Sequence, residues 1–326
     1  MNPRAVVAGG AGFIGYHFVS RLLGEGFDVV IVDNFATGTR RNAEDCAIED
    51  VCEVVRADIC NSIDIAGPVD YVINLACPAS PVDFSRIPVE IMRACSVGTN
   101  NLLELALHKG AVFLQASTSE VYGNPERHPQ QEGYTGNVNI TGPRAVYDEG
   151  KRYAEALGLA YERKYKMPIR VARIFNTYGP RMRADDGRVV SNFCVQALRD
   201  EPLTIYGDGN HTRSFCYVTD MVEALWRLLT SDVTGPVNVG NPDERSMREL
   251  AELVLSLTRN SAGTQQLPLP HADDPTRRCP DISRAKAELG WQPATPLEDG
   301  LRETLSWFRE VLGVEGPDPL PATAPP

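Results

Sequence analysis

The sequence predicts an α/β protein: a Rossmann-type doubly wound parallel sheet followed by a smaller C-terminal α/β lobe. Three observations point there. An apolar run at the N-terminus leads through a glycine-rich turn into a helical pattern. Strand-like apolar runs then alternate with helix-length segments, as parallel sheets require. After Gly179 the segments shorten, and proline, glycine and aspartate become frequent.

The elements follow in order. Residues 4–8 (Arg-Ala-Val-Val-Ala) suit a buried parallel strand. Residues 9–15 form a turn, and 13–23 carry apolar residues at helical spacing until Gly24 and Gly26 stop the helix. Residues 28–32 are a second strand ending at Asp33. Further strands are predicted at 51–55, 71–75, 112–116 and 169–174, with helices over 88–109 and 147–165. In the second half, helices are predicted over 189–199, 220–229 and 247–257, with a strand at 237–239. Residues 1–179 are expected to form the first domain. Residues 180–312 form mainly the smaller lobe, part of which returns to the first domain. Residues 313–326 are rich in proline, cannot bury a core, and read as a loose tail.

Composition narrows the class. With 32 Lys+Arg against 43 Asp+Glu the net charge is −11, which argues against a nucleic-acid or membrane-surface binder. A local pocket on such a protein can still be positive and take an anionic small ligand. The eight cysteines (Cys46, Cys52, Cys60, Cys77, Cys95, Cys194, Cys216 and Cys279) form no C-x-x-C pair, so no metal site is expected and the thiols are read as reduced and mostly buried. The N-terminus lacks the pattern of a signal peptide and no apolar run reaches the length of a membrane span, so the cytoplasm is the expected location.

Two local patterns carry chemistry. Gly9-Gly-Ala-Gly12-Phe-Ile-Gly15 follows a strand and opens a helix. One glycine permits the tight turn, one lets backbone approach a pyrophosphate, and one lets helix and strand pack closely. The helix N-terminus then presents N–H groups and positive dipole to phosphate. Asp33 lies 18 residues after Gly15, where a carboxylate accepts hydrogen bonds from ribose hydroxyls and repels a 2′-phosphate, favouring NAD over NADP. Alone, Asp33 could simply start a turn with Asn34; the preceding glycines favour the cofactor reading.

The second pattern is Tyr147-Asp-Glu-Gly-Lys151, which puts phenol and ammonium on one helix face. The ammonium is expected to lower the tyrosine pKa from about 10, aided by a bound nicotinamide's positive charge. Such a tyrosine takes a proton from a sugar hydroxyl while hydride leaves the same carbon. The spacing is common by itself, but Ala116-Ser-Thr-Ser-Glu-Val-Tyr-Gly123 follows a predicted strand whose C-terminal end faces the ligand crevice. Thr118 there could hydrogen-bond the reacting oxygen.

Together these motifs resemble the extended short-chain dehydrogenase/reductase superfamily. Longer blocks resemble its UDP-glucuronate decarboxylases (UDP-xylose synthases): Leu75-Ala-Cys-Pro-Ala-Ser-Pro81, Tyr147-Asp-Glu-Gly-Lys-Arg152, Ala172-Arg-Ile-Phe-Asn-Thr-Tyr-Gly-Pro-Arg-Met182, Asp186-Gly-Arg-Val-Val-Ser-Asn192, Tyr206-Gly-Asp-Gly209, Thr212-Arg-Ser-Phe215, and Asp273-Asp-Pro275 through Arg278-Cys-Pro-Asp-Ile282. The similarity runs from about residue 5 to about residue 310.

The resemblance implies NAD as cofactor, a UDP-sugar as substrate, and a smaller lobe that binds it. Thr118, Tyr147 and Lys151 match the catalytic triad, with Tyr147 the base for oxidation at C4. Ser119 and Glu120 match positions near the sugar carboxylate, and Arg278 an arginine assisting decarboxylation. Arg213 would pair with phosphate, Tyr206 would lie near uridine, and Asn176, Pro81, Arg181 and Val190 complete the substrate side. Beside Gly9, Gly12, Gly15 and Asp33, the cofactor site would include Phe13, Ile14, Asn34, Thr37, Gly38, Asp58, Ile59, Leu75 and Ala76. Oxidation at C4 gives a β-keto acid, which loses CO2 as an enolate; protonation at C5 and return of hydride give UDP-xylose. The family pairs two helices per subunit into a homodimer. Residues 88–109 and 147–165 are the candidates, and Leu102, Leu103, Leu105 and Ala106 face either the partner or the sheet.

One stretch departs from the pattern. Where the family has Tyr-Trp-Gly-Asn-Val-Asn-Pro, this chain has Tyr134-Thr-Gly-Asn-Val-Asn-Ile140, with Thr141 and Pro143 following. Thr135 and Ile140 are expected to reshape a loop over the sugar. The 4-keto intermediate is shared with 4-epimerases, so UDP-glucuronate 4-epimerase is the alternative, and a non-catalytic sensor of NAD and nucleotide sugar is a third reading. Glu120 and Arg278 favour decarboxylation.

Overall fold

The computed structural model describes residues 2–269, 275 and 277–314. Asp273 and Asp274, from one block of resemblance, and residues 315–326 of the expected tail lie outside the described residues.

The first half runs β1 (Arg4–Ala8), α1 (Phe13–Gly24), β2 (Asp28–Asp33), α2 (Arg40–Cys46), β3 (Cys52–Arg56), β4 (Tyr71–Asn74), α3 (Pro81–Arg86), α4 (Pro88–Arg93), a π-helical turn (Ala94–Gly98), α5 (Thr99–Lys109), β5 (Val112–Thr118), a 3₁₀ turn (Ser119–Tyr122), α6 (Ala145–Tyr165) and β6 (Ile169–Ile174). The second half runs β7 (Thr177–Tyr178), α7 (Val189–Leu198), β8 (Leu203–Tyr206), β9 (Thr212–Ser214), β10 (Cys216–Tyr217), α8 (Val218–Leu229), β11 (Pro236–Val239), β12 (Glu244–Ser246), α9 (Met247–Thr258), β13 (Thr264–Leu267), β14 (Arg277–Arg278), α10 (Ser283–Leu289) and α11 (Leu297–Leu312).

Seven strands form one parallel sheet in the order β11-β6-β5-β4-β1-β2-β3. Alternate residues face opposite layers. Ala5, Val7, Val29 and Ile31 pack with Phe18, Val19 and Leu22 of α1. Val6, Ala8, Val30 and Val32 pack with Leu102, Leu103, Leu105 and Ala106 of α5. Those last four residues therefore face the sheet, which removes them as partner-facing surface. Sheets covered on both faces need continuous apolar strands, which is why β1 and β2 read so plainly in the sequence.

Chain order reverses at β1 and β4, opening a crevice at their C-terminal ends. The glycines are set there by contact. A Cβ on Gly9 (φ +80°) would lie 2.7 Å from the Leu75 carbonyl carbon, and one on Gly15 would lie 2.1 Å from the Gly9 carbonyl oxygen. The obstacle in both cases is backbone, which cannot swing aside. Gly15→Ala is expected to destabilise the protein by about 1–3 kcal/mol and to weaken dinucleotide binding. Urea denaturation and cofactor titration read these two effects.

The single helix expected over 88–109 is interrupted. A π turn inserts an extra residue between α4 and α5 and re-aims the side chains that follow. Gly98 there sits against Ile59, whose Cδ1 would be 2.4 Å from an added Cβ. Cys95, also in the turn, faces α6, which begins two residues earlier than expected. The second strand pairs around β9, β8 and β7 frame the cavity's far wall. The amphipathic α11, with Leu301, Leu305 and Phe308 buried, closes a separate core cluster with α7 and α9. Among the described residues no helix is long and apolar enough to cross a membrane.

Candidate active site

A cavity of about 570 Å³ opens at the C-terminal ends of β1, β2, β4, β5 and β6, and the second half of the chain closes it from above. Every site residue named from the sequence lines this one cavity. On one side are Gly9, Gly12, Phe13, Ile14, Gly15, Asp33, Asn34, Thr37, Gly38, Asp58, Ile59, Leu75 and Ala76; on the other are Pro81, Asn176, Arg181, Val190, Tyr206 and Arg213, with Thr118, Ser119, Glu120, Tyr147, Lys151 and Arg278 between.

The first side fits a dinucleotide. Helix α1 starts at Gly12 without a side-chain cap and without an acidic residue in its first turn, so its N–H groups face the cavity. The Asp33 carboxylate accepts from Ala11 N (3.1 Å) and Phe35 N (2.8 Å), which fixes its position at the end of β2. Burial raises its pKa above the ordinary value. Gly38 leaves the carboxylate open, since a Cβ there would lie 2.9 Å from Oδ1. Asp58, accepting from Cys60 N and Asn34 Nδ2, braces the neighbouring loop.

At the centre, Lys151 donates to Ala116 O (2.9 Å), anchoring α6 to β5. Its ammonium stands 5.7 Å from the Tyr147 ring centroid, and that ring stacks on Phe84 at 5.0 Å. Thr118, the last residue of β5, adjoins the Tyr147 phenol and favours its ionised form. The lowered tyrosine pKa expected from the sequence is not found in this site. Burial disfavours the phenolate more than Lys151 and Thr118 favour it, and the group is pushed up to about 12.

Glu120 sits one step into the 3₁₀ turn that leaves β5. Arg278 grips it as a fork, Nη1 to Oε1 at 2.5 Å and Nη2 to Oε2 at 2.7 Å. Arg144 Nη2 adds a third bond to Oε2 at 2.8 Å. All three side chains are buried. Burial disfavours the carboxylate, but Arg278 first and Arg144 next outweigh it, and the pKa falls to about 2. Arg213, also buried, adds its charge to the same cluster. The cavity centre is thus cationic on an acidic protein. Arg144 was missed in the sequence, although it stands three residues before Tyr147, one helical turn away.

One further expectation changes. Thr135 and Ile140 do not line the cavity: Ile140 is exposed, and the Thr135 carbonyl accepts from Arg152 on the outer side of the 3₁₀ turn. The Arg181 guanidinium is already held by Asp45 (2.5 Å) and lies over the rings of Tyr16 and Trp307, so it braces α2 against α11. Tyr206 stands half-exposed at the mouth of the cavity. Elsewhere, His128, Glu244 and Cys279 come within ligand spacing of one another, but Arg277 already places its guanidinium on Glu244 (3.0 Å) and His128 (2.8 Å).

Comparison with known proteins places this arrangement. The family model described as GDP-mannose 4,6 dehydratase matches residues 6–304. UDP-glucuronic acid decarboxylase 1 of Danio rerio is 48% identical over 95% of this chain and 74% of its own. UDP-glucuronic acid decarboxylase 1 of Arabidopsis thaliana is 50% identical over 95% of this chain and 70% of its own. Among solved structures, UDP-glucuronic acid 4-epimerase from Bacillus cereus, in complex with UDP-glucuronic acid and NAD, superposes with a TM-score of 0.85 at 27% identity, covering 94% of this chain and 99% of that one. The chain belongs to the GDP-mannose 4,6 dehydratase family and, within it, to the UDP-glucuronic acid decarboxylases.

Proposed function

We propose that this protein binds NAD and converts UDP-glucuronate to UDP-xylose with release of CO2. The observation that carries the reading is the buried Glu120–Arg278–Arg144 cluster set beside Tyr147, Thr118 and Lys151. It puts cationic groups where a sugar carboxylate would lie, within reach of a base for the neighbouring hydroxyl. Relatives named as decarboxylases at 48–50% identity support it over the 4-epimerase alternative, whose solved representative stands at 27%.

Residues 1–179 hold the cofactor and residues 180–312 mainly the UDP-sugar. When bound, oxidised NAD supplies the hydride acceptor and a positive charge beside the phenol. Tyr147 accepts the C4 hydroxyl proton, with Lys151 and Thr118 stabilising the oxygen that receives it. The resulting 4-keto sugar carries its carboxylate one carbon away from the carbonyl. Arg278 and Arg144, oriented by Glu120, hold that carboxylate while its C–C bond breaks and its electrons enter the carbonyl. The Tyr147 phenol hydrogen-bonds the enolate oxygen while C5 takes a proton from solvent, and it would return its proton to the C4 oxygen as the hydride comes back to C4, which gives UDP-xylose and restores the oxidised cofactor. Arg213 pairs with the diphosphate and Tyr206 lies against the uracil ring.

Incubating purified protein and NAD with UDP-glucuronate, with CO2 trapped and nucleotide sugars analysed, tests this. Trapped CO2 with a UDP-pentose is expected. UDP-galacturonate without CO2 would instead mark a 4-epimerase, and an unaltered sugar a binding protein. Replacing Asp33 by Ser removes the carboxylate that repels a 2′-phosphate, and the preference for NAD over NADP in binding titrations is expected to fall at least about tenfold.

The same reading includes a homodimer. Val89, Met92 and Val97 on the 88–109 segment and Tyr153 on α6 are exposed, and α4 packs on α6. Met92→Glu is expected to shift the protein to monomer in light scattering.

A further inference from the structure

We propose that Cys77 and Cys95 form a redox-sensitive dithiol next to the catalytic pair, and that a hydroperoxide closes it to a disulfide and switches the site off. The inhibitory half rests on the function proposed above; the disulfide does not.

The two sulfurs lie 3.4 Å apart. They come from distant elements: Cys77 follows β4 at the crevice, and Cys95 sits in the π turn. Cys77 is half-buried and lines the cavity, so a small oxidant reaches it by the substrate's route. Cys95 is buried behind it. The two thiols share a hydrogen bond, and the Lys151 ammonium adds its attraction to Cys77 against the cost of burial. These two influences draw the Cys77 thiol below its ordinary value. The other seven cysteines shift the opposite way, burial being the leading cause for all but Cys95. Cys77 is therefore the nucleophile of the set.

The chemistry balances with a hydroperoxide as oxidant. The Cys77 thiolate attacks one peroxide oxygen; the O–O bond breaks, and the leaving oxygen takes a proton. Cys77 becomes a sulfenic acid. The Cys95 sulfur then attacks the Cys77 sulfur; the S–O bond breaks, water leaves with the Cys95 proton, and the S–S bond forms. Two thiols lose two electrons and two protons, and the peroxide is reduced to water and an alcohol, or to two waters.

Closure reaches the active site through backbone. Cys95 packs under Gly150, whose added Cβ would lie 3.1 Å from the Cys95 Sγ, and Gly150 immediately precedes Lys151. Drawing the sulfurs to about 2.0 Å pulls the loop after β4 toward the π turn and shifts the seat of α6. It also removes the thiolate that faces Lys151. Misplacement on the scale of 1 Å costs about 100-fold in rate, so a loss of about tenfold or more is expected.

The test treats the holoprotein with hydrogen peroxide, alkylates free thiols, maps peptides by mass, and follows CO2 release in parallel. A Cys77–Cys95 peptide lacking two hydrogens, appearing as activity falls and vanishing as dithiothreitol restores it, is expected. Cys95→Ser, with Cys95→Ala as a second variant should the first fail to fold, should form no such peptide and should be labelled by dimedone at Cys77. Free Cys77 and Cys95 after peroxide has oxidised other thiols, or a complete disulfide with unchanged activity, would overturn the proposal. Absence of CO2 before any oxidation would instead overturn the decarboxylase reading.

Discussion

Replacing Tyr147 with Phe is expected to lower kcat by about 10²–10⁴-fold while leaving the fold intact. The ring that stacks on Phe84 remains, and only the phenol oxygen is lost. A buried hydroxyl removed together with its own hydrogen leaves no new charge unpaired, so stability should change little. The pH profile carries more information. With the phenol pushed up to about 12 in the free site, it is protonated at neutral pH. The wild-type rate of C4 oxidation should therefore climb as pH rises, with an apparent pKa below that value once a cationic cofactor is bound. This rise should be missing from the Phe variant. A full rate in the variant, or a flat wild-type profile, would place the base elsewhere.

Arg278→Lys is the second large expected effect. Lysine keeps the charge but cannot reproduce a two-pronged grip on Glu120. A charged hydrogen bond contributes about 1.5–3 kcal/mol, so CO2 release should fall about 10- to 100-fold, mainly in kcat. The acid stability of Arg278→Met adds a reading that activity cannot give. The folded pKa of Glu120 lies below its ordinary 4.5, near 2. Its contribution to stability is thus complete above 4.5 and is lost as pH falls toward 2. Without Arg278 the folded value rises, less stabilisation remains at neutral pH, and the protein should be easier to denature there. Denaturation curves at pH 7 and pH 4 measure it, and identical stability in variant and wild type would show that Arg278 does not set the charge of Glu120.

The parts of the fold that were legible are those where one local pattern met no competitor. The continuous apolar runs of β1 and β2 belong to a sheet buried on both sides, and the glycines at 12 and 15 answer to backbone contacts a few residues away. The π turn at Ala94–Gly98 was not legible, because the residues packed against it, Ile59 at Gly98 and Gly150 of α6 at Cys95, are remote in sequence. Helix α11 was overlooked despite its buried Leu301, Leu305 and Phe308 at helical spacing. The short strands β8, β9, β12 and β14 owe their existence to pairing across the lobe, and their sequences carry little alternation.

In the site, residue types followed from motifs, but charge balance did not. The sequence shows Glu120 and Arg278 158 positions apart and cannot show that they form one buried fork with Arg144. Nor can it weigh burial against Lys151 at the phenol. The short Tyr-x-x-x-Lys spacing suggests a depressed pKa, and the enclosure by Phe84 and the strand ends reverses the sign. The pairing of Cys77 with Cys95 was likewise invisible to a search for closely spaced cysteines.

UDP-glucuronate carrying deuterium at C4, turned over by the holoprotein in ordinary water, follows the hydrogen that leaves and comes back. A UDP-pentose retaining deuterium at C4, with one hydrogen from solvent at C5, is the expected product. Loss of the C4 label to water, or a hexuronate product with its carboxylate intact, would contradict it.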